Sequence, residues 1–312
     1  MLTPTAAAQR HDPDRWTPRP PAALTRQFGA ADDGPPRTVG LLDLRLAPMS
    51  GATRVTRQFQ RTPLYIFHPI YLDPGRPGMA FVYLQHQGDG MLSGDRYRID
   101  VEVAEGAEVH LTTQAATKIY RMESDYAAQL VNLTAGAGSF VEYLPDPVIP
   151  YRHSRFVGQL DITAHPRATV LLAETLLPGR VAHGERHAYD LYRATTRIRR
   201  PDGRQIAADM VSFGGACGRA DTPARLGGYA VHAAFFALAP QERTRGLHAA
   251  LLACLDESED VVAGVSTLPF GAGLIARVLG PSSIPVRRAL HTVWDVARRH
   301  LTGSPAPDLR KG

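Results

Sequence analysis

Residues 94–121 read GDRYRIDVEVAEGAEVHLTTQAATKIYR, and this stretch decides the fold class. Tyr97, Ile99, Val101 and Val103 fall on one face of an extended chain, while Arg96, Arg98, Asp100 and Glu102 fall on the other. A period of two with one apolar face is the pattern of a half-buried strand. Gly106 marks a turn, after which a second strand points Val109, Leu111 and Thr113 inward. The polar string from Thr112 to Arg121 is neither loop-like in composition nor periodic.

The same pattern extends outward. Alternating or apolar runs at Thr38–Leu46, Leu64–Tyr71, Gly78–Gln85, Phe156–Thr163 and His187–Ile198 are separated by Gly, Pro and Asp turns, an all-β reading. Gly106, Gly136 and Pro166 recur at thirty-residue intervals, each between two strand-like runs. That spacing suits a stacked β-coil, whose units bury their apolar faces against their neighbours, and it suits a sandwich meander equally. Two helices are expected at Gln241–Glu257 and Ile284–Leu301, where apolar residues keep a 3.6 period. Ser282 or Ser283 can cap the second helix, and Gly303 stops it. Residues 1–37 hold seven prolines and little periodicity. The expected organisation is a loose tail at 1–37, a β-body at 38–240, a helical region at 241–302 and a tail at 303–312.

At 312 residues and 44% hydrophobic, the chain can bury a sizeable core. Its longest nearly apolar run, Tyr229–Ala239, falls far short of the roughly 20 residues a membrane-spanning helix needs. No apolar secretory segment opens the chain, and Cys217 and Cys254 are too few for a disulfide framework. A cytosolic protein is expected. The net charge of +5 rests on 33 arginines and two lysines, Lys118 and Lys311, spread along the chain. With aromatics at 7%, stacking platforms for nucleic acid are not evident. A partner with an acidic surface accounts better for the charge.

Residues 94–121 resemble the urease accessory protein UreD (UreH) family, in which LTTQAATK-[VI]-YR follows a GD-initiated strand. EYLPDPVIPY (142–151), AETLLPGRVAHGER (173–186) and VAGVSTLPFGAGLIARVLG (262–280) are similar to further signatures in the family's order, so the likeness covers roughly residues 38–300. The chain departs from the family at residues 85–95, where a Gly-rich PGG segment is usual, and at its PAPDLRKG ending, where many members carry an aromatic. The resemblance implies an all-β protein with C-terminal helices, namely a distorted right-handed β-helix-like body plus two α-helices. It also implies a non-enzymatic maturation factor that binds apo-urease and a UreF-like protein carrying the GTPase UreG. Its task would be to assist delivery of Ni(II), with no tightly bound cofactor, no membrane and no nucleic acid.

Several constellations carry two readings. His183, Glu185 and His187 share one face if the segment is a strand, which permits a transient metal contact, or they form a solvated strand face. Glu174 follows the apolar run Val170–Ala173, so it is expected to be partly buried. It either pairs with Arg180 or lines a polar passage for Ni(II). Asp146 sits in a turn fixed by Pro145 and Pro147, and the resemblance gives Glu142, Asp146 and Tyr151 a share in that passage or in facing urease. Lys118 is expected to be buried in a structural polar layer with Thr113, Gln114, Thr117 and Arg121. Leu290, Trp294 and Arg287 are assigned to the UreF side, although the apolar stripe can equally pack on the body. No G-x-S-x-G occurs, and Gly214–Gly218 is followed by no G-K-[ST]. From another class, a carbohydrate-active enzyme on a β-helix would use Asp146 and Glu174. A metal hydrolase built on His183, Glu185 and His187 lacks a convincing third ligand.

Overall fold

The computed structural model describes His11, Arg26, residues 38–258 and residues 260–311. The expected tail at 1–37 lies outside the described residues apart from His11 and Arg26. In chain order the first strands are β1 (Thr38–Met49), β2 (Ala52–Arg61), β3 (Leu64–Ile66), β4 (Ala80–His86), β5 (Asp95–Val103) and β6 (Glu108–Thr113). Next come β7 (Thr117–Ile119), β8 (Ala127–Ala135), β9 (Phe140–Tyr143), β10 (Val148–Pro150), β11 (Arg155–Ala164) and β12 (Thr169–Leu176). The last are β13 (Leu191–Arg199), β14 (Gln205–Gly214), β15 (Val231–Leu238), β16 (Val262–Thr267) and β17 (Gly273–Gly280). The helices are α1 (Gln241–Thr244), α2 (Leu247–Asp256) and α3 (Ser283–Thr302).

Two sheets face each other. Sheet A runs β14-β13-β11-β8-β5-β1-β2 and sheet B runs β16-β17-β15-β12-β9-β6-β4-β3, with β7 and β10 forming a short third side. Neighbours β1, β5, β8, β11 and β13 are parallel, as are β4, β6, β9 and β12. Parallel neighbours on successive turns of the chain make a stacked coil, so the expected β-helix-like body forms. The coils advance unevenly: Ala128 pairs with Arg96, 32 residues before it, and with Val157, 29 residues after it. The even thirty-residue interval of the turns conceals this difference.

Ladders of matched side chains fill the coil. Leu44, Val101, Leu133, Ile162 and Ile198 lie in register across five strands of sheet A and are all buried. Each such side chain contributes about 1.5–3 kcal/mol by leaving water. Two layers toward the strand starts, the inward ladder is Gly40, Tyr97, Gln129, Gly158 and Ala194. Small and polar residues there leave the interior unfilled, and a cavity results.

A second core lies outside sheet B, where Phe81, Leu171, Phe235 and Val278 meet Val286, Val293, Trp294 and Leu301 of α3. The apolar stripe of α3 thus packs on the body. Gly303, at φ 77°, ends the helix, with its N–H donating to the Arg299 carbonyl at 2.9 Å. Ser282 occupies the N-cap position without a side-chain cap bond.

Three boundaries differ from expectation. The expected helix 241–257 breaks into α1 and α2 because Gly246 adopts φ 79°, a left-handed conformation that interrupts the helical path. Strands continue past residue 240: β16 and β17 form a hairpin that extends sheet B beyond β15. The run 303–311 is docked instead of forming a tail, with the Ala306 N–H donating to Asp295 Oδ1 at 2.8 Å. Among the described residues no helix is long and apolar enough to cross a membrane.

Candidate functional site

The unfilled layer opens into a cavity of about 350 Å³, within the range of ligand pockets. Sheet A contributes Tyr97, Gln129, Gly158 and Ala194, and sheet B contributes Tyr143 and Glu174. At the rim stand Asp89, Gln114, Lys118 and Asp146. A smaller void of about 20 Å³, room for one water, is bordered by Thr196, Asp209 and His232. The two voids share Glu174, Thr175, Tyr192 and Ala194 as walls.

Glu174 therefore stands between the voids. The strand period directs Leu172 and Glu174 to the coil interior and Leu171 to the outer face under α3. The Thr196 hydroxyl donates to Glu174 Oε2 at 2.5 Å. Burial pushes the carboxyl up to about 6, against the lowering effect of the Thr196 bond and with a further rise from Asp209. Burial, and secondarily the Glu174 charge, also pushes the hydroxyls of Tyr143 and Tyr192 up. The expected pair with Arg180 does not form. Arg180 instead donates to Glu185 at 2.5 and 2.9 Å, because Gly179, at φ 116°, turns the chain away from the coil. A Cβ at Gly179 would lie 2.5 Å from the Glu185 carbonyl oxygen, closer than any side chain permits.

Beyond the smaller void, Arg277 donates to Asp209 at 2.8 Å. Burial lowers the neighbouring His232, with Asp209 opposing and Arg277 adding to that shift. At the rim, Asp146 accepts from the Thr113 hydroxyl at 3.1 Å and from the Lys311 ammonium at 2.7 Å.

The strand face proposed for His183, Glu185 and His187 is absent. Val181–His183 form one 3₁₀ turn, Gly184 is left-handed at φ 70°, and His187 has φ 51°. His183 is exposed, Glu185 is committed to Arg180, and His187 is buried near the Tyr189 hydroxyl at 3.4 Å. Burial, then the nearby Arg186, lowers His187 below the usual histidine range. Among the described residues, no three His, Cys, Asp or Glu side chains are grouped so as to hold a metal.

The structural polar layer does not form as expected. Lys118 is 36% exposed and 3.9 Å from Asp89, and Gln114 is exposed at the rim. Arg121 is 64% exposed and pairs with Glu123 outside the coil. Thr113 does bond the rim, and the Thr117 N–H donates to the Pro147 carbonyl at 2.9 Å.

Nor does Glu142 line the passage. It is fully buried outside sheet B, accepting from Trp294 Nε1 and His110 Nδ1 at 2.8 Å each, with Arg298 Nε at 3.6 Å. Arg298, also fully buried, pairs in addition with Asp73. Tyr151 stacks edge-on with Tyr120 beneath the Arg180 guanidinium, away from the cavity. Trp294 and Leu290, assigned to partner binding, pack against this second core, and Arg287 stays exposed.

Sequence reading overlooked Gln129, Asp209, His232, Arg277 and Lys311. Gln129 was detectable, since it interrupts an otherwise apolar inward set in AAQLVNL. The others required strand order, which no local pattern supplies.

The profile of the family described as UreD urease accessory protein matches residues 38–311. Urease accessory protein UreD 2 of Streptomyces griseus is 45% identical over 302 residues, 93% of this chain and 99% of that protein. A UreD 2 of Brucella suis is 35% identical, over 80% of this chain and 83% of its own length. The UreD of Cenarchaeum symbiosum is 33% identical, over 87% and 95% respectively. With that coverage, the chain belongs to the UreD family of urease accessory proteins.

Proposed function

We propose that this chain assists urease maturation as a non-enzymatic scaffold, and that the interior of its coil is a passage for Ni(II). It would bind apo-urease together with a UreF-like protein and a UreG-like GTPase in the cytoplasm. The observation that carries the passage is Glu174: a partly buried carboxylate with one hydroxyl donor, set between two voids, and with no ion pair to a cation among the described residues. A carboxylate left in that state attracts a cation, and ligation by one oxygen is weak enough for the metal to move on. Asp146 at the rim and Asp209 with His232 at the far side would continue the path. On α3 the outward residues Ile284 and Arg287 remain free for a UreF-like partner.

The test is Glu174→Gln, which keeps shape and removes charge. Nickel content and activity of urease should fall while the variant still assembles with urease and the accessory proteins. Normal nickel loading by the variant would reject the passage.

A further inference from the structure

Asp146 has a neighbour that a passage does not require. Past Gly303 the chain runs back over the outer face of sheet B. The Ala306 N–H donates to Asp295 Oδ1, and the Tyr83 hydroxyl donates to the Leu309 carbonyl at 2.5 Å. The Lys311 ammonium then donates to Thr112 Oγ1 and to Asp146 Oδ2, at 2.7 Å each. Thr112 points outward from sheet B, whereas Thr113, also bonded to Asp146, borders the cavity. Lys311 therefore reaches the rim carboxylate from outside. Residues 304–311 form a strap with three anchor points, the last of them at the mouth.

Composition supplies a second observation. The chain has 33 arginines and two lysines, and both lysines stand at this mouth, each near a rim carboxylate: Lys311 on Asp146 and Lys118 near Asp89. The two cations differ in how they let go. A guanidinium grips a carboxylate through a planar fork, whereas an ammonium is a compact charge on a flexible stem. Where a cation must be displaced by another cation, the ammonium is the suitable type.

We propose that Lys311 is a tethered competitor: in the resting chain its ammonium occupies Asp146, and a divalent cation gains the rim only by displacing it or when a partner lifts the strap. This rests on the passage reading for what the cavity carries. The pair is partly exposed, so the competition is modest. Removing Lys311 should strengthen binding of a divalent cation at the rim about 1.4-fold to fivefold, the range that the measured worth of such pairs spans.

The experiment uses the full chain, isotope-labelled, titrated with Ni²⁺ alone. Paramagnetic broadening of the amide signals of Gln114 and Asp146 gives the midpoint. Lys311→Met should lower that midpoint by the stated factor. Lys311→Arg, which grips more firmly, should raise it. In the Asp146→Asn background the Lys311→Met change should have no effect. Equal midpoints for wild type and Lys311→Met, a shift that persists in Asp146→Asn, or no broadening at the rim in any variant would each overturn the proposal. Its failure is separable from that of the passage. If urease is loaded normally by Glu174→Gln but the Lys311 variants shift the midpoint, the passage falls and the tethered competitor stands.

Discussion

Two glutamates on neighbouring strands of sheet B, Glu142 on β9 and Glu174 on β12, meet opposite treatment. Glu142 faces outward under α3 and collects an indole N–H, an imidazole and the flank of a guanidinium. Glu174 faces inward and receives one threonine hydroxyl. Both are enclosed by protein, and what surface Glu174 keeps is toward the cavity. A buried carboxylate is costly unless paired. The chain meets that cost in full where the helix must be fixed to the sheet. It leaves the cost largely unmet where the coil is hollow. The difference separates a group that holds the fold from one available to a passing cation.

The largest test removes the well-partnered member. Glu142→Ala leaves the buried Arg298 with Asp73 alone and strips acceptors from Trp294 and His110. Unfolding in urea should show a loss of roughly 3–5 kcal/mol, the usual cost of orphaning a buried charge. A loss below about 1 kcal/mol would mean that α3 is held by its apolar stripe alone.

Glu174→Gln should move stability the other way. The folded carboxyl lies near 6, above its ordinary 4.5. Between those values the native state holds more protons than the unfolded chain, so stability falls as pH rises through the window, and the cost persists above it. Replacing the acid with Gln removes that cost. The variant should gain up to about 2 kcal/mol at pH 7, shrinking to nothing below about pH 4.5. Thermal melts across that range measure it. A pH-independent difference, or a loss at pH 7, would show that Glu174 is paired after all.

How much of this contrast was legible beforehand follows from period and register. Alternation in 94–113 gave the strands, and their inward sets survive residue for residue in Tyr97, Ile99, Val101 and Val103. Alternation also settles that Glu142 and Glu174 can face opposite ways, but only once their strands are aligned. Leu171 pairs with Glu142, and that offset of 29 residues is not printed in any local motif. Arg180 was the wrong partner for Glu174 because sequence proximity stood in for space. Thr196, from the other sheet, is the real one. The reading of 183–187 failed at Gly184 and His187, where left-handed backbone replaced the assumed strand. Trp294 was misassigned because an amphipathic helix does not declare what covers its apolar face. The fold was therefore readable from side-chain period, and the site only from how the coils stack.

The smallest test concerns a third carboxylate, Glu185, which is itself buried but is paired with an arginine that reaches solvent. It accepts two bonds from Arg180 and one from the Arg152 N–H at 3.2 Å. The Arg180 bonds hold it below the ordinary glutamate range despite some opposing burial. Here the sign reverses: the stabilisation is complete above about 4.5 and is lost as pH falls through the lowered value. Because Arg180 is 38% exposed, solvent screens the pair, and Glu185→Gln should cost clearly less at pH 7 than Glu142→Ala does. The cost should shrink further in high salt, whereas the loss in Glu142→Ala should not. Together the three variants place on one scale a carboxylate paired inside the core, one with a single hydroxyl partner beside a cavity, and one paired with a solvent-screened arginine. An Glu185→Gln loss as large as that of Glu142→Ala, and insensitive to salt, would break the ordering, because partner number alone would then set the energy and the hollow around Glu174 would carry no special weight.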